Sequence, residues 1–139
     1  MDILPLFINK SVKIIKNPNN YIIICLKKDI TPGVYSKINV EKNKWYTVEI
    51  CCTKFGNGIP GLWIADKNKN TLFYGNYFTK TGRGYLKRSF YTGNYSILLV
   101  GLLIKNANIR NGFFLEKLSI TDNDIQEIEE KIDKDKKKK

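Results

Sequence analysis

A chain of 139 residues, 42% of them hydrophobic and 12% aromatic, is long enough to enclose one core, and that composition excludes wholesale disorder. It contains no histidine, which excludes Ser-His and Cys-His nucleophile activation and removes the commonest metal ligand. The net charge of +11 predicts a positive field able to draw nucleic acid, acidic glycans or anionic surfaces.

Near the N-terminus Asp2 stands where a secretory leader needs positive charge, and Pro5 and Asn9 interrupt the apolar stretch. No window reaches the ~18 uninterrupted apolar residues of a membrane-spanning helix. The expectation is a soluble, cytoplasmic protein without a membrane span.

Along the chain the dominant period is two, with turn residues at the spacing of sandwiches and barrels. Val12–Lys16 and Tyr21–Leu26 are β-branched, apolar strands separated by Asn17-Pro18-Asn19-Asn20, a cluster that favours a turn. Gly33–Val40 follows the turn at Thr31-Pro32-Gly33. Lys44–Thr53 alternates most clearly, with Tyr46, Val48, Ile50 and Cys52 on the core side and Trp45, Thr47, Glu49 and Cys51 on the other. The three cysteines, Cys25, Cys51 and Cys52, have neither a disulfide nor a zinc spacing and read as reduced, buried small side chains.

Phe55-Gly56-Asn57-Gly58 supplies an Asn-Gly turn before the strand Gly61–Asp66, and the polar turn Asp66–Asn70 leads to Thr71–Gly75. Asn76–Lys87 reads as the longest irregular stretch, a class of loop that often carries function. Its Gly82-Arg83-Gly84 lacks the phosphate-loop lysine pattern and a following helix, so it reads as a flexible loop. Phe90 opens the last group of strands. Ser96–Ile104 is apolar at nearly every position, as in a central strand covered on both faces or bulged at Gly101. Phe113–Ile120 changes phase between Leu115 and Leu118, which predicts a bulge near Glu116-Lys117.

The end of the chain differs in kind. Thr121-Asp122-Asn123-Asp124 offers a helix cap, and Ile125, Ile128 and Ile132 recur at helical spacing, with acids first and lysines last. The reading is an all-β antiparallel sandwich over residues 1–120, and a short helix in a charged tail or linker over 121–139. The excess positive charge lies before residue 121, where the acids are Asp2, Asp29, Glu41, Glu49, Asp66 and Glu116. Lys, Asn, Ile, Tyr and Phe are all over-used, as an A/T-rich genome would dictate, so codon bias is the alternative to a functional polyanion site as the source of this charge.

Those six acids present no convincing general acid–base pair, and Glu49 reads as a solubilising or salt-bridging strand carboxylate. A sugar site instead needs flat aromatic faces for the C–H side of a pyranose, with amides or charges for its hydroxyls. Trp45, Trp63, Tyr74, Tyr77, Tyr85 and Tyr91 supply the faces. The candidate ligand-binding set is Trp63, Tyr74, Asn76, Tyr77, Arg83, Tyr85 and Arg88. Trp63 leads it because Leu62 and Ile64, on its opposite face, account for the core. The same palette would serve single-stranded nucleic acid by stacking and charge neutralisation.

Residues from about Lys37 to Ile120 resemble the carbohydrate-binding-module-like, galactose-binding-like jelly rolls. The similarity rests on Lys44-Trp45-Tyr46-Thr47-Val48-Glu49 followed by Leu62-Trp63-Ile64-Ala65-Asp66, then Phe90, Ile97–Leu103 and Phe113–Ile120. The resemblance implies two antiparallel sheets, no intrinsic enzymatic activity, and a sugar or protein site on a concave face or at loop tips. Comparable modules occur in large DNA viruses, attached to glycosyltransferases and other proteins, which would place the chain in host cytoplasm or virion. Many relatives hold a structural calcium, but Asp66 alone cannot, so neither metal nor cofactor is expected. The leading expectation is a non-catalytic carbohydrate-binding module in a glycan-processing or virion protein. The alternatives are an assembly protein that forms homo-oligomers or decorates a virus particle, and a basic nucleic-acid-binding domain.

Overall fold

The computed structural model describes residues 4–8, 12–27 and 32–123, and all regular structure among them is β. The expected helix of the 121–139 tail lies outside the described residues, apart from Thr121 and Asp122, which end a strand. One five-stranded sheet runs in the order β1 (Phe7–Ile8), β4 (Gly33–Asn39), β9 (Ile97–Lys105), β6 (Ile59–Asp66) and β7 (Thr71–Gly75). The other runs β2 (Val12–Lys16), β3 (Tyr21–Cys25), β10 (Gly112–Asp122), β5 (Trp45–Phe55) and β8 (Arg83–Tyr91). Every pairing is antiparallel, and the two sheets stack as a jelly-roll sandwich.

Alternation decides which side chains enter the space between the sheets. Val48, Ile50 and Cys52 of β5 meet Leu62 and Ile64 of β6, Leu98, Val100, Leu102 and Ile104 of β9, and Phe113, Leu115 and Leu118 of β10 in one buried cluster. Each such side chain contributes about 1.5–3 kcal/mol on burial. The change of phase in β10 is a bulge: the register with β5 slips between Leu115 and Lys117, so Leu118 returns to the core opposite Ile50. In β9, by contrast, pairing runs unbroken through Gly101 on both sides, and the near-continuous apolar run is explained by coverage of both faces.

Two readings need correction. Asn76–Lys87 is not one long loop, because Arg83–Lys87 belongs to β8 and only Asn76–Gly82 is irregular. β8 is an edge strand whose inward positions, Gly84, Leu86, Arg88 and Phe90, mix a glycine and an arginine with apolar residues, which erases the alternation. At the turn after β5, the left-handed residue is Gly56 (φ 78°), not the Asn-Gly pair, and the turn carries the chain from one sheet to the other. Arg88 closes the open side between β7 and β8. Its guanidinium lies 4.1 Å from the Phe73 ring centroid and donates to Asn76 Oδ1 at 2.9 Å.

Buried polar groups are matched. Ser36 Oγ donates to the Pro5 carbonyl at 2.6 Å, and Thr92 Oγ1 donates to the Glu41 carbonyl at 2.6 Å while accepting from Lys44 N. The three cysteines are buried free thiols.

Candidate ligand-binding face

The outer surface of the β2-β3-β10-β5-β8 sheet collects the polar half of the β5 alternation: Trp45, Thr47, Glu49 and Cys51. Cross-strand register sets Tyr91, Ser89, Lys87 and Tyr85 of β8 beside them in turn. On the other flank β10 brings Lys117 opposite Cys51, Ser119 opposite Glu49 and Thr121 opposite Thr47. The bulge is what makes this possible, since it turns Lys117 outward while Leu115 and Leu118 stay in the core.

Tyr85 and Tyr91 are 61% and 51% exposed, so their rings are available to a ligand. Each is tethered by its hydroxyl: Tyr85 donates to Glu49 Oε2 at 2.8 Å, and Tyr91 donates to Asn43 Oδ1 at 3.3 Å. Trp45 lies beside Tyr91 with ring centroids 5.4 Å apart. Between the two tyrosines, Thr47 Oγ1 is 3.0 Å from Ser89 Oγ and donates to Asn123 Oδ1 at 2.8 Å.

The charges on this face come in pairs. Lys117 Nζ meets Glu49 Oε2 at 3.0 Å, and Arg83 meets Glu116 Oε2 at 3.0 Å while its Nε donates to Cys51 Sγ at 3.0 Å. Cys51, Arg83, Glu116 and Lys117, with Asn19 and Tyr85, line an open groove of about 640 Å³. The hydrogen bond from Lys117, then that from Tyr85, holds the Glu49 carboxyl below its usual range, while the bond to Glu49 pushes the Tyr85 phenol up. Glu49 is therefore an anionic acceptor, the opposite of the raised carboxylic acid that a glycosidase uses as proton donor.

Of the seven residues chosen from the sequence, only Arg83 and Tyr85 stand on this face. Trp63 and Tyr74 lie on the outer surface of the other sheet, and Tyr77, in the segment that leads to β8, packs against Tyr74. Register there aligns Phe7, Tyr35, Gly101, Trp63 and Tyr74 in one row across five strands. Glycine at the middle of the row leaves room for Tyr35 to meet Trp63 edge-on, with centroids 5.9 Å apart. Trp63 is 6% exposed, its indole N–H spent on Thr71 Oγ1 at 2.8 Å, so it packs against its neighbours and offers no open platform. Burial pushes the Tyr74 phenol up to about 12, and its hydroxyl donates to the Leu103 carbonyl at 3.3 Å. Tyr77 stacks edge-on against Tyr74 at 5.3 Å and under Lys105 Nζ at 4.9 Å. Asn76 and Arg88 bond to each other at the β7–β8 side. The seven thus do not converge on one surface, although Tyr77, Arg83 and Tyr85 line a shared pocket of about 290 Å³ along the 77–85 segment.

Trp45, Glu49, Tyr91 and Lys117 are the members of the face outside that set. The signal for the first two was present in the alternation of Lys44–Thr53. The partner strand that completes the surface was hidden by its reading as loop. Among the described residues no three Cys, Asp or Glu side chains converge. Asp66 accepts from Asn68 N, Asn70 N and Asn70 Nδ2, which folds its own turn.

Fold and face together define an antiparallel jelly-roll sandwich with an open aromatic and charge-paired surface on one sheet. Among solved structures the chain is similar to CBM4, at 9% identity and a TM-score of 0.65 over 79% of this chain and 88% of that one. It is similar to the CBM22-1 xylan-binding domain of Paenibacillus barcinonensis Xyn10C, at 15% identity and a TM-score of 0.61 over 84% and 85% of the two chains. It is also similar to TmCBM61, solved with β-1,4-galactotriose, at 11% identity and a TM-score of 0.59 over 88% and 91%. At these identities the likeness establishes the shared fold. No family model matches the sequence, and no curated protein matches it significantly.

Proposed function

We propose that the protein is a non-catalytic binding module that takes a glycan on the outer face of β5, β8 and β10. The observation that carries this reading is the combination of two exposed tyrosines with the fixed Glu49 carboxylate, the Thr47 and Ser89 hydroxyls and the Asn123 amide between them. Flat rings accept the C–H faces of a sugar, and the polar groups between them exchange hydrogen bonds with its hydroxyls. Glycan ligands named for the fold neighbours, xylan and β-1,4-galactotriose, support the choice of ligand class. Glu49 and Glu116 are both engaged in ion pairs, and the Lys117 bond holds Glu49 as an anion, which suits recognition and does not suit proton donation. Attachment to a larger glycan-processing or virion protein, in the cytoplasm or the particle, belongs to the same proposal and rests on composition and resemblance.

Affinity electrophoresis in gels containing xylan, β-glucan or galactan tests it. Retardation by at least one polysaccharide, abolished by Tyr85→Ala and retained by Trp63→Phe, is the expected result. Unretarded migration in all of them refutes the reading.

A second reading is favoured by the opposite sheet. Its outward strand residues include Lys37 and Lys105 and no carboxylate, and Lys69 lies 5.7 Å from the Tyr35 ring centroid. This arrangement suits a polyanion. Steeply salt-dependent retention of a single-stranded oligonucleotide, weakened by Lys69→Ala with Lys105→Ala, would support it.

A further inference from the structure

Resting on the glycan reading of the β5–β8–β10 face, we infer that its ligand is an uncharged, extended oligosaccharide that lies along the strands and bridges Tyr85 and Tyr91. Three features of the face lead there.

The first is spacing. Tyr85 and Tyr91 stand on one strand and one face, paired with Cys51 and Trp45 respectively. Six residues of antiparallel strand separate them by roughly 20 Å, a span that about four pyranose units of an extended chain would bridge. A single sugar reaches one ring only.

The second is the content of the interval. The rows between the tyrosines present Glu49 with Lys87 and Ser119, then Thr47 with Ser89 and Thr121. Glu49 and the Thr47 and Ser89 hydroxyls are held by hydrogen bonds, while Trp45 and Tyr91 mark one end of the interval and the Arg83–Glu116 groove the other.

The third is charge. In a chain of +11, the ion pairs among the described residues gather on this face: Arg83 with Glu116, Lys117 with Glu49, and, at the upper rim, Lys44 with Asp122 at 2.9 Å and with Glu41 at 3.3 Å. Lys87 faces Glu49 across the β5–β8 register and also favours its anionic form. An acidic sugar would have to displace Glu49 or Glu116 from its partner and then sit beside a carboxylate. A neutral sugar keeps the pairs and uses their free lone pairs and N–H groups for its hydroxyls.

Titration calorimetry of the full chain with xylo-, cello- and galacto-oligosaccharides of one to six units is the test, with polygalacturonate as the acidic probe. The expected result is affinity that climbs steeply up to about four units and then levels, unchanged between low and half-molar salt. Tyr91→Ala should weaken the hexamer about tenfold and the dimer no more than about twofold, because a dimer engages one ring at a time and Tyr85 remains. Both tyrosines are exposed, so the variants should keep the wild-type urea midpoint. Equal affinity for dimer and hexamer, or a salt-sensitive preference for polygalacturonate, overturns this inference and leaves the glycan reading standing. Heat exchange with none of the probes overturns both.

Discussion

Replacing Trp63 separates packing from recognition. The indole is almost fully buried between Tyr35 and Tyr74, above Ala65 and Leu99, and its N–H is satisfied by Thr71. Removing a large buried side chain costs about 3–5 kcal/mol, and the low end applies here because this satellite cluster lies on an outer face that solvent can enter. Trp63→Ala should therefore destabilise the protein by about 3 kcal/mol, close to a 10 °C fall in Tm for a domain of this size. Trp63→Phe keeps most of the area and loses one hydrogen bond, for about 1 kcal/mol. Urea unfolding followed by far-UV circular dichroism measures both. Glycan retention by the folded fraction of Trp63→Ala should equal wild type. A Trp63→Ala protein with an unchanged urea midpoint and no retention would refute the assignment of this residue to packing and return it to the binding site.

Other outcomes follow from the same structure. Glu49 has its carboxyl lowered in the folded state, so the stability linked to it is full above the unfolded-chain value of about 4.3 and is lost as pH falls through the folded value. Urea midpoints measured from pH 7 to pH 3 should fall less steeply in Glu49→Gln, and identical slopes would show that the Lys117 and Tyr85 bonds do not persist in solution. At Gly101 a Cβ would run into the Val34 carbonyl and the Tyr35 Cα, so Gly101→Ala should lose soluble folded protein. Gly82→Ala meets open space and costs only the left-handed backbone, about 1–2 kcal/mol by chemical denaturation. Cys52 is pushed up to about 12, first by burial and then by neighbouring Cys51, so its labelling by a thiol reagent should track unfolding and not accelerate as pH rises toward 9. Native-state labelling at a rate that follows pH would contradict its placement.

Much of the fold could be read in advance because burial imposes a period of two. The alternation of Lys44–Thr53 named the inward residues of β5 correctly, and the phase change at Glu116-Lys117 located the bulge of β10. The central place of Ser96–Ile104 followed from its having no polar face. β8 escaped because an edge strand has one neighbour and tolerates Gly84 and Arg88 on its inner side. β1, two residues long, carries too little pattern to be seen at all.

The site was less legible for a related reason. Alternation says that Trp63 and Leu62 point oppositely, which holds, but it cannot say that Tyr35 and Tyr74 will cover Trp63 from strands 28 residues before it and 11 after it. Composition and local pattern determined by themselves that this chain makes two antiparallel layers, which side of each main strand is apolar, and that histidine-dependent chemistry is absent. Only the tertiary structure decided which strands became neighbours. That order sent one set of aromatics into a packed row and left Tyr85 and Tyr91 open beside paired charges, because lateral contact between strands depends on sheet order and register, which no single segment encodes.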